Sequence, residues 1–291
     1  MYITSAWPDS PPDAAHADLA KDYTLDLRLA GASAVVTGGS KGMGLAIAEC
    51  IAAEGASVAI MARGQSALDA AVARLRVAGA PEVLGISVDM SDPDSIGAGF
   101  ATLAKKWGAL NVFVHTVGPP PGAFDDLDDI GWQATIDLGT MSAVRSVRLA
   151  LPMLRAASWA RIVTLSAHSI QRQSPGLVAY TASKAALSSL TKNLAKSLAP
   201  EGILVNCVCP GTIVTASFTE DLRETLAAEG LNAADPRDVM HWVEKHFHHP
   251  CDLGRAGSPD EIASVTTYLA SRRNGYVTGA TVNVDGGSDF I

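Results

Sequence analysis

Ser33-Ala34-Val35-Val36-Thr37-Gly38-Gly39-Ser40-Lys41-Gly42-Met43-Gly44 is the stretch whose reading decides the fold. A β-rich run ends at Thr37, glycines follow at the spacing G-x-x-x-G-x-G, and helical spacing of apolar residues runs over 45–54. The common dinucleotide fingerprint G-x-G-x-x-G is not met, because the sixth residue counted from Gly42 is Ile47. The physics is nevertheless the same. Small residues let the backbone approach a pyrophosphate, and the following helix offers free N–H groups and the positive end of its dipole. Gly38, Ser40, Lys41, Gly42, Met43 and Gly44 are the candidate cradle.

The next strand, 57–61, leads to Ala62-Arg63, and no Asp or Glu stands between Glu54 and Asp69. An acid at that strand end would hold the ribose of NAD(H). Two cations, Lys41 and Arg63, with no anion suit a 2′-phosphate, so the expected cofactor is NADP(H) in preference to NAD(H). Further strands are expected at 83–88, 111–115, 161–166 and 203–208, with helices at 65–77, 92–106, 132–156 and 180–199. Strands alternating with helices of this length imply βαβ crossovers and a parallel sheet. The strand runs are apolar throughout, as helices on both faces demand. The expected fold is therefore α/β, a single-domain, Rossmann-like, doubly wound parallel sheet over residues 25–291.

Residues 1–24 read as a separate extension, either a mobile tail or an arm that clasps a neighbouring subunit. Residues 213–252 break the rhythm with helical stretches at 220–229 and 239–247, punctuated by Gly230, Asp235-Pro236 and His249-Pro250. An excursion this long is expected to be a substrate lid. Its His241, His246, His248, His249 and Cys251 lack the spacing of a metal motif, so a polar lid and no metal are expected.

Composition excludes other classes. Apolar residues make up 48% of the 291, enough for a substantial core and too many for disorder. Net charge is −8 and aromatics are 5%, which argues against tracking nucleic-acid phosphates or stacking bases. No apolar run reaches 18 residues, so no membrane span is expected. The start of the chain has neither a basic region nor an apolar one, so no signal peptide is read there. Four cysteines make no disulfide framework, and a reducing, cytoplasmic setting is expected.

Tyr180 and Lys184 stand four apart in a helical pattern and share one face. An ammonium beside a phenol favours the phenolate and lowers its pKa from about 10. Such a Tyr passes a proton to or from a carbonyl oxygen while hydride moves at the carbon.

With these residues assembled, the chain resembles the short-chain dehydrogenase/reductase family over about 25–291, in particular its NADP-preferring members. Asp89-Met90 matches the family's adenine contact, and Gly118 its glycine after the fourth strand. Pro210-Gly211-Thr212-Ile213-Val214-Thr215 matches the P-G-x-x-x-T loop that grips the nicotinamide amide, so the resemblance places Pro210, Gly211, Ile213 and Thr215 at the cofactor. Tyr276 to Gly287 resembles the last strand and its surroundings. The resemblance implies carbonyl–alcohol interconversion with Tyr180 as general acid/base and Lys184 on the nicotinamide ribose. It also implies a small-molecule substrate and a homo-oligomer, dimer or tetramer, paired through 132–156 and 180–199.

Three departures from the family pattern stand out. Its N-N-A-G reads His115-Thr116-Val117-Gly118, its relay Asn is Gly139, and its carbonyl-orienting Ser, thirteen residues before the Tyr, is Ala167. Ser166 should face away, whereas Ser169, if the chain stays extended, or His168 could supply a hydrogen bond. Losing the hydroxyl costs about 2–4 kcal/mol of transition-state stabilisation. Two alternatives follow: an enoyl (C=C) reductase, or an impaired NADP(H)-binding sensor or partner protein.

Overall fold

Val35 and Val36 are adjacent in the chain and both fully buried, yet they serve different cores. That is the mark of a strand covered on both faces. A computed structural model describes residues 26–288, and the 1–24 extension lies outside the described residues. The described strands are β1 (Ser33–Thr37), β2 (Ser57–Ala62), β3 (Val83–Ser87), β4 (Val112–His115), β5 (Ala160–Leu165), β6 (Ile203–Pro210) and β7 (Thr281–Val284). They form one parallel sheet in the order β3-β2-β1-β4-β5-β6-β7. The winding reverses between β1 and β4, which opens a crevice at the carboxyl ends of those strands.

The α-helices among the described residues are α1 (Gly42–Ala53), α2 (Gln65–Ala78), α3 (Pro93–Lys106), α4 (Asp129–Ile136), α5 (Ser142–Ala156), α6 (Val178–Leu198), α7 (Ala216–Ala228), α8 (Pro236–Phe247) and α9 (Pro259–Ala270). Ala34, Val36, Val58 and Ile60 pack against Ile47, Ile51, Leu68 and Ile262 on one side of the sheet. Val35, Ala59 and Met61 pack against Phe100, Leu103, Val147 and Met153 on the other. Each large apolar side chain buried in this way contributes about 1.5–3 kcal/mol. The expected fold is observed. No described helix is long and apolar enough to cross a membrane.

Three local differences from the sequence reading have physical causes. First, α1 begins at Gly42 rather than Leu45, because the glycines form its first turn. Second, the expected helix over 132–156 is two helices joined by a wider π turn, Asp137–Met141. Gly139 sits at the centre of that turn, pressed against α6. Third, the excursion between β6 and α9 is not uniformly polar. Leu226, Val239, Met240, Trp242 and Val243 build an apolar cluster of its own, and backbone bonds of 2.9 Å tie Thr212 and Val214 to Gly257 at its base.

Candidate active site

The glycine loop crosses the end of β1 in a conformation only glycine adopts readily. Gly38 has φ +76° and Gly42 φ +52°. A Cβ on Gly38 would lie 2.6 Å from Thr116 Oγ1, whose hydroxyl donates to Thr37 O at 2.7 Å. Lys41 precedes α1 without a side-chain cap, and the first turn carries no acid. The first helical bond runs from Leu45 N–H to Lys41 O, so the amides of Gly42, Met43 and Gly44 lie ahead of it. An uncapped helix start whose first amides are free of intrahelical bonds fits a dinucleotide phosphate. Lys41 and Arg63 are both exposed, near the loop and just past β2.

The residues after β3 divide. The Asp89 carboxylate accepts from the backbone N–H and hydroxyl of Ser91 at 2.9 and 2.7 Å, which holds its pKa below the ordinary value. Met90 buries its side chain among the core residues of the α3 side, so only its backbone is left for the expected adenine contact.

Gly118, Tyr180 and Lys184 come together at the crevice. A Cβ on Gly118 would sit 3.0 Å from Lys184 Nζ and 3.9 Å from Tyr180 Cε2. Lys184 Nζ donates to Leu165 O at 2.8 Å and Val117 O at 3.1 Å, the exits of β5 and β4. It lies 5.9 Å from the centre of the Tyr180 ring. Burial pushes Lys184 down to about 8 and Tyr180 up to about 12. The expected lowering of the phenol by its neighbour is therefore not what this geometry produces. The ammonium is directed to carbonyl oxygens, and desolvation of the phenolate outweighs it.

The three departures have separate structural outcomes. His115 is fully buried, and its Nδ1 is 2.9 Å from Thr37 Oγ1 and its Nε2 3.1 Å from Ser142 Oγ. Ser142 spends its hydrogen on Leu138 O at 2.6 Å, so His115 Nε2 is the donor to Ser142. Burial, with Lys184 adding, pushes this imidazole down to about 3, and it serves as a neutral tie between β1, β4 and α5. A Cβ on Gly139 would collide with Ser183 Oγ and stand 2.8 Å from Ser183 Cβ and 3.0 Å from Pro119 Cδ. No larger residue fits there without displacing α6.

Ala167 is buried at the exit of β5, and the residues around it are engaged. Ser166 Oγ donates to Lys184 O at 2.8 Å. The chain does not stay extended: His168–Ile170 is a 3₁₀ turn, and Ser169 Oγ accepts from Thr181 Oγ1 at 3.1 Å. His168 places Nδ1 3.1 Å from Pro210 O and Nε2 3.0 Å from His249 Nδ1. Both ring nitrogens of His168 are thus committed, whereas Ser169, which only accepts in its bond with Thr181, keeps a hydroxyl hydrogen to donate. His249, read from the sequence as one of several polar lid histidines, is buried here. No spacing pattern could reveal that contact between residues 81 apart.

The segment after β6 closes the crevice. Gly211 N–H donates to Val284 O at 3.0 Å, and a Cβ on Gly211 would lie 2.7 Å from Asp285 Cα. Ile213 pairs with Gly257. The Thr215 hydroxyl caps α7 by accepting from Phe218 N–H at 3.2 Å. A Cβ on Gly42 would lie 3.3 Å from Thr215 Cγ2, so the glycine loop and the Pro210–Thr215 segment face each other across the gap.

Comparison with known proteins agrees with this arrangement. Residues 38–289 match a family model described as enoyl-(acyl carrier protein) reductase. A dehydrogenase/reductase SDR family member 4 from Caenorhabditis elegans is 30% identical over 89% of this chain and 96% of that protein. A 3-oxoacyl-[acyl-carrier-protein] reductase from Chlamydia muridarum is 33% identical over 88% and 96%. The crystal structure of L-sorbose reductase from Gluconobacter frateurii, complexed with NADPH and L-sorbose, superposes with a TM-score of 0.85 at 29% identity, covering 92% of this chain and all of that one. The sheet order, the glycine loop and the Tyr180–Lys184 pair are thus parts of an oxidoreductase, and the chain belongs to the short-chain dehydrogenase/reductase family.

Proposed function

We propose that the protein interconverts a carbonyl and an alcohol by hydride transfer, with NADP(H) as cofactor in preference to NAD(H). The convergence of Gly118, Tyr180 and Lys184 beside the uncapped start of α1 carries this reading. Gly38, Ser40, Gly42, Met43 and Gly44 would hold the pyrophosphate, and Lys41 and Arg63 the 2′-phosphate. Asp89 and the Met90 backbone would border the adenine, and Pro210, Gly211, Ile213 and Thr215 the nicotinamide. When bound, the reduced nicotinamide supplies the hydride.

Tyr180 is the general acid of the reduction. Burial keeps its phenol protonated, the form that gives a proton to a carbonyl oxygen. Lys184, with one N–H beyond its bonds to Leu165 O and Val117 O, would hold the nicotinamide ribose. The 213–252 excursion acts as the lid over the substrate. The NADPH complex of L-sorbose reductase supports the choice of cofactor. The long α5 and α6 helices are the proposed faces of a dimer or tetramer, and the four free cysteines support a reducing, cytoplasmic setting. The test compares purified wild type with Tyr180→Phe on panels of ketones and alcohols, with NADPH and NADH. Equal turnover by the two proteins overturns the role of Tyr180, and equal kcat/KM with both cofactors overturns the preference.

Ala167 and Gly139 favour a second reading, reduction of a C=C bond, in which no hydroxyl need orient a carbonyl. Consumption of an enoyl thioester but of no ketone selects it. Tight NADPH binding with no turnover on either panel selects a sensor or partner role instead.

A further inference from the structure

His168 and His249 are buried and take no part in the proton transfer described above. Their connections are unusual in reach. Pro210 O can only accept, so His168 Nδ1 carries the hydrogen of their 3.1 Å bond. That carbonyl belongs to the peptide joining Pro210 to Gly211, whose N–H is held by Val284 O at 3.0 Å. The plane of the peptide that opens the Pro210–Thr215 segment is thereby fixed from both edges, by β7 on one and by His168 on the other.

His168 is in turn held by His249, with rings 4.7 Å apart and crossed at 76°. His249 lies on the return leg of the excursion, directly after His248, whose backbone is left-handed at φ 57°, and before Pro250. Below it the leg is tied down. Leu253 N–H donates to Gly286 O at 3.0 Å, and Gly257 N–H to Thr212 O at 2.9 Å. Above it, α7 and α8 pack on their own apolar cluster. His249 Nε2 is buried toward the backbone of Arg172 and Gln173 without a well-formed hydrogen bond, so the Nδ1 contact is the firm tie between this ring and the body of the protein. The excursion cannot swing outward without breaking that contact. Breaking it leaves a buried ring nitrogen of His168 to find another partner or bear the cost of desolvation.

We propose that His168 and His249 are a positioning pair, which couples the seating of the 213–257 excursion to the grip of Pro210–Thr215 on the nicotinamide end of the cofactor. The inference rests on the reading of Pro210–Thr215 as a cofactor loop.

Three variants test it. His249→Phe keeps a ring and removes the N–H. His249→Asn keeps a donor at the Nδ1 position. His168→Asn keeps the donor to Pro210 O but loses the link to His249. NADPH affinity is read by fluorescence titration, and lid seating by amide hydrogen exchange with and without NADPH. In wild type, NADPH slows exchange across both 38–44 and 213–248. In His249→Phe and His168→Asn, protection at 38–44 persists while protection at 213–248 is lost. The NADPH Kd of His249→Phe rises about tenfold, the effect of one buried hydrogen bond, and His249→Asn stays within about twofold of wild type. The two Asn variants carry the test if the Phe variant does not fold. A variant that melts earlier yet keeps ligand-induced protection of 213–248 and an unchanged Kd shows a purely structural pair and overturns the proposal. Wild-type protein that binds neither NADPH nor NADH overturns the functional reading and the pair with it.

Discussion

The π turn around Gly139 and the turn after β5 around Ala167 each lack a side chain that the family usually places beside the Tyr–Lys pair. The protein treats the two losses differently. At Gly139 the space is gone: Ser183 and Pro119 close over it, and α6 lies as near as a glycine allows. At Ala167 only an oxygen is missing, and the surrounding frame is intact. Ser166 is bonded to Lys184 O and Ser169 to Thr181, so the turn is tied to α6 on both sides of residue 167. A substitution absorbed by repacking is hard to reverse, whereas one that removes a functional group from an unchanged frame is easily reversed.

Mutations sharpen that contrast. The reference point is Tyr180→Phe, which lowers turnover on the order of 10³-fold if the phenol is the proton donor, measured as kcat at saturating NADPH. Ala167→Ser restores a positioned donor and raises kcat/KM for ketones about a hundredfold, with little change in melting temperature. No gain in that variant would mean that the turn does not present residue 167 to the substrate, and the contrast would fail. Gly139→Asn does the opposite. It overpacks the contact with Ser183, costs about 1–3 kcal/mol of stability by urea denaturation and brings no gain in rate. Native stability and faster turnover in the Gly139→Asn variant would show that the π turn is plastic.

The pH dependence gives the smallest effect. Tyr180, raised to about 12, stays protonated through neutral pH, so the proposed carbonyl reduction is expected to be level up to about pH 8, where Lys184 loses its charge. Alcohol oxidation needs the phenolate and climbs with pH over the same range. Stability follows with a definite sign. Lys184 falls from 10.5 unfolded to about 8 folded, so between those values the unfolded chain holds more protons. Lys184 therefore adds stability as pH rises from about 8 to 10.5, opposed above 10 by Tyr180, whose raised phenol keeps its proton in the folded state, and Lys184→Met removes the Lys184 contribution in denaturation series.

How much of this was legible beforehand depended on the range of the interactions. β1, the glycine loop and the pairing of Tyr180 with Lys184 are written in contiguous residues, since backbone preference and helix spacing act within a few positions. Arg63 at the end of β2 could be placed by counting. The π turn could not be placed, because helical periodicity over 132–156 carries no record of a contact with Ser183 on another helix. Met90 matched a motif while its side chain went to the core, because a motif names a position and packing chooses the direction. The polar histidines of 241–249 gave no hint that one of them was buried.

The sequence by itself determined the class of fold, the glycine-rich turn after β1 and the residues available for chemistry, because each rests on local conformational preference and on burial patterns that repeat along the chain. Only the tertiary structure decided which departures were sealed and which left open, how burial sets Tyr180 and Lys184, and that His168 meets His249. Those outcomes depend on desolvation and on contacts between segments tens of residues apart, which no local pattern encodes.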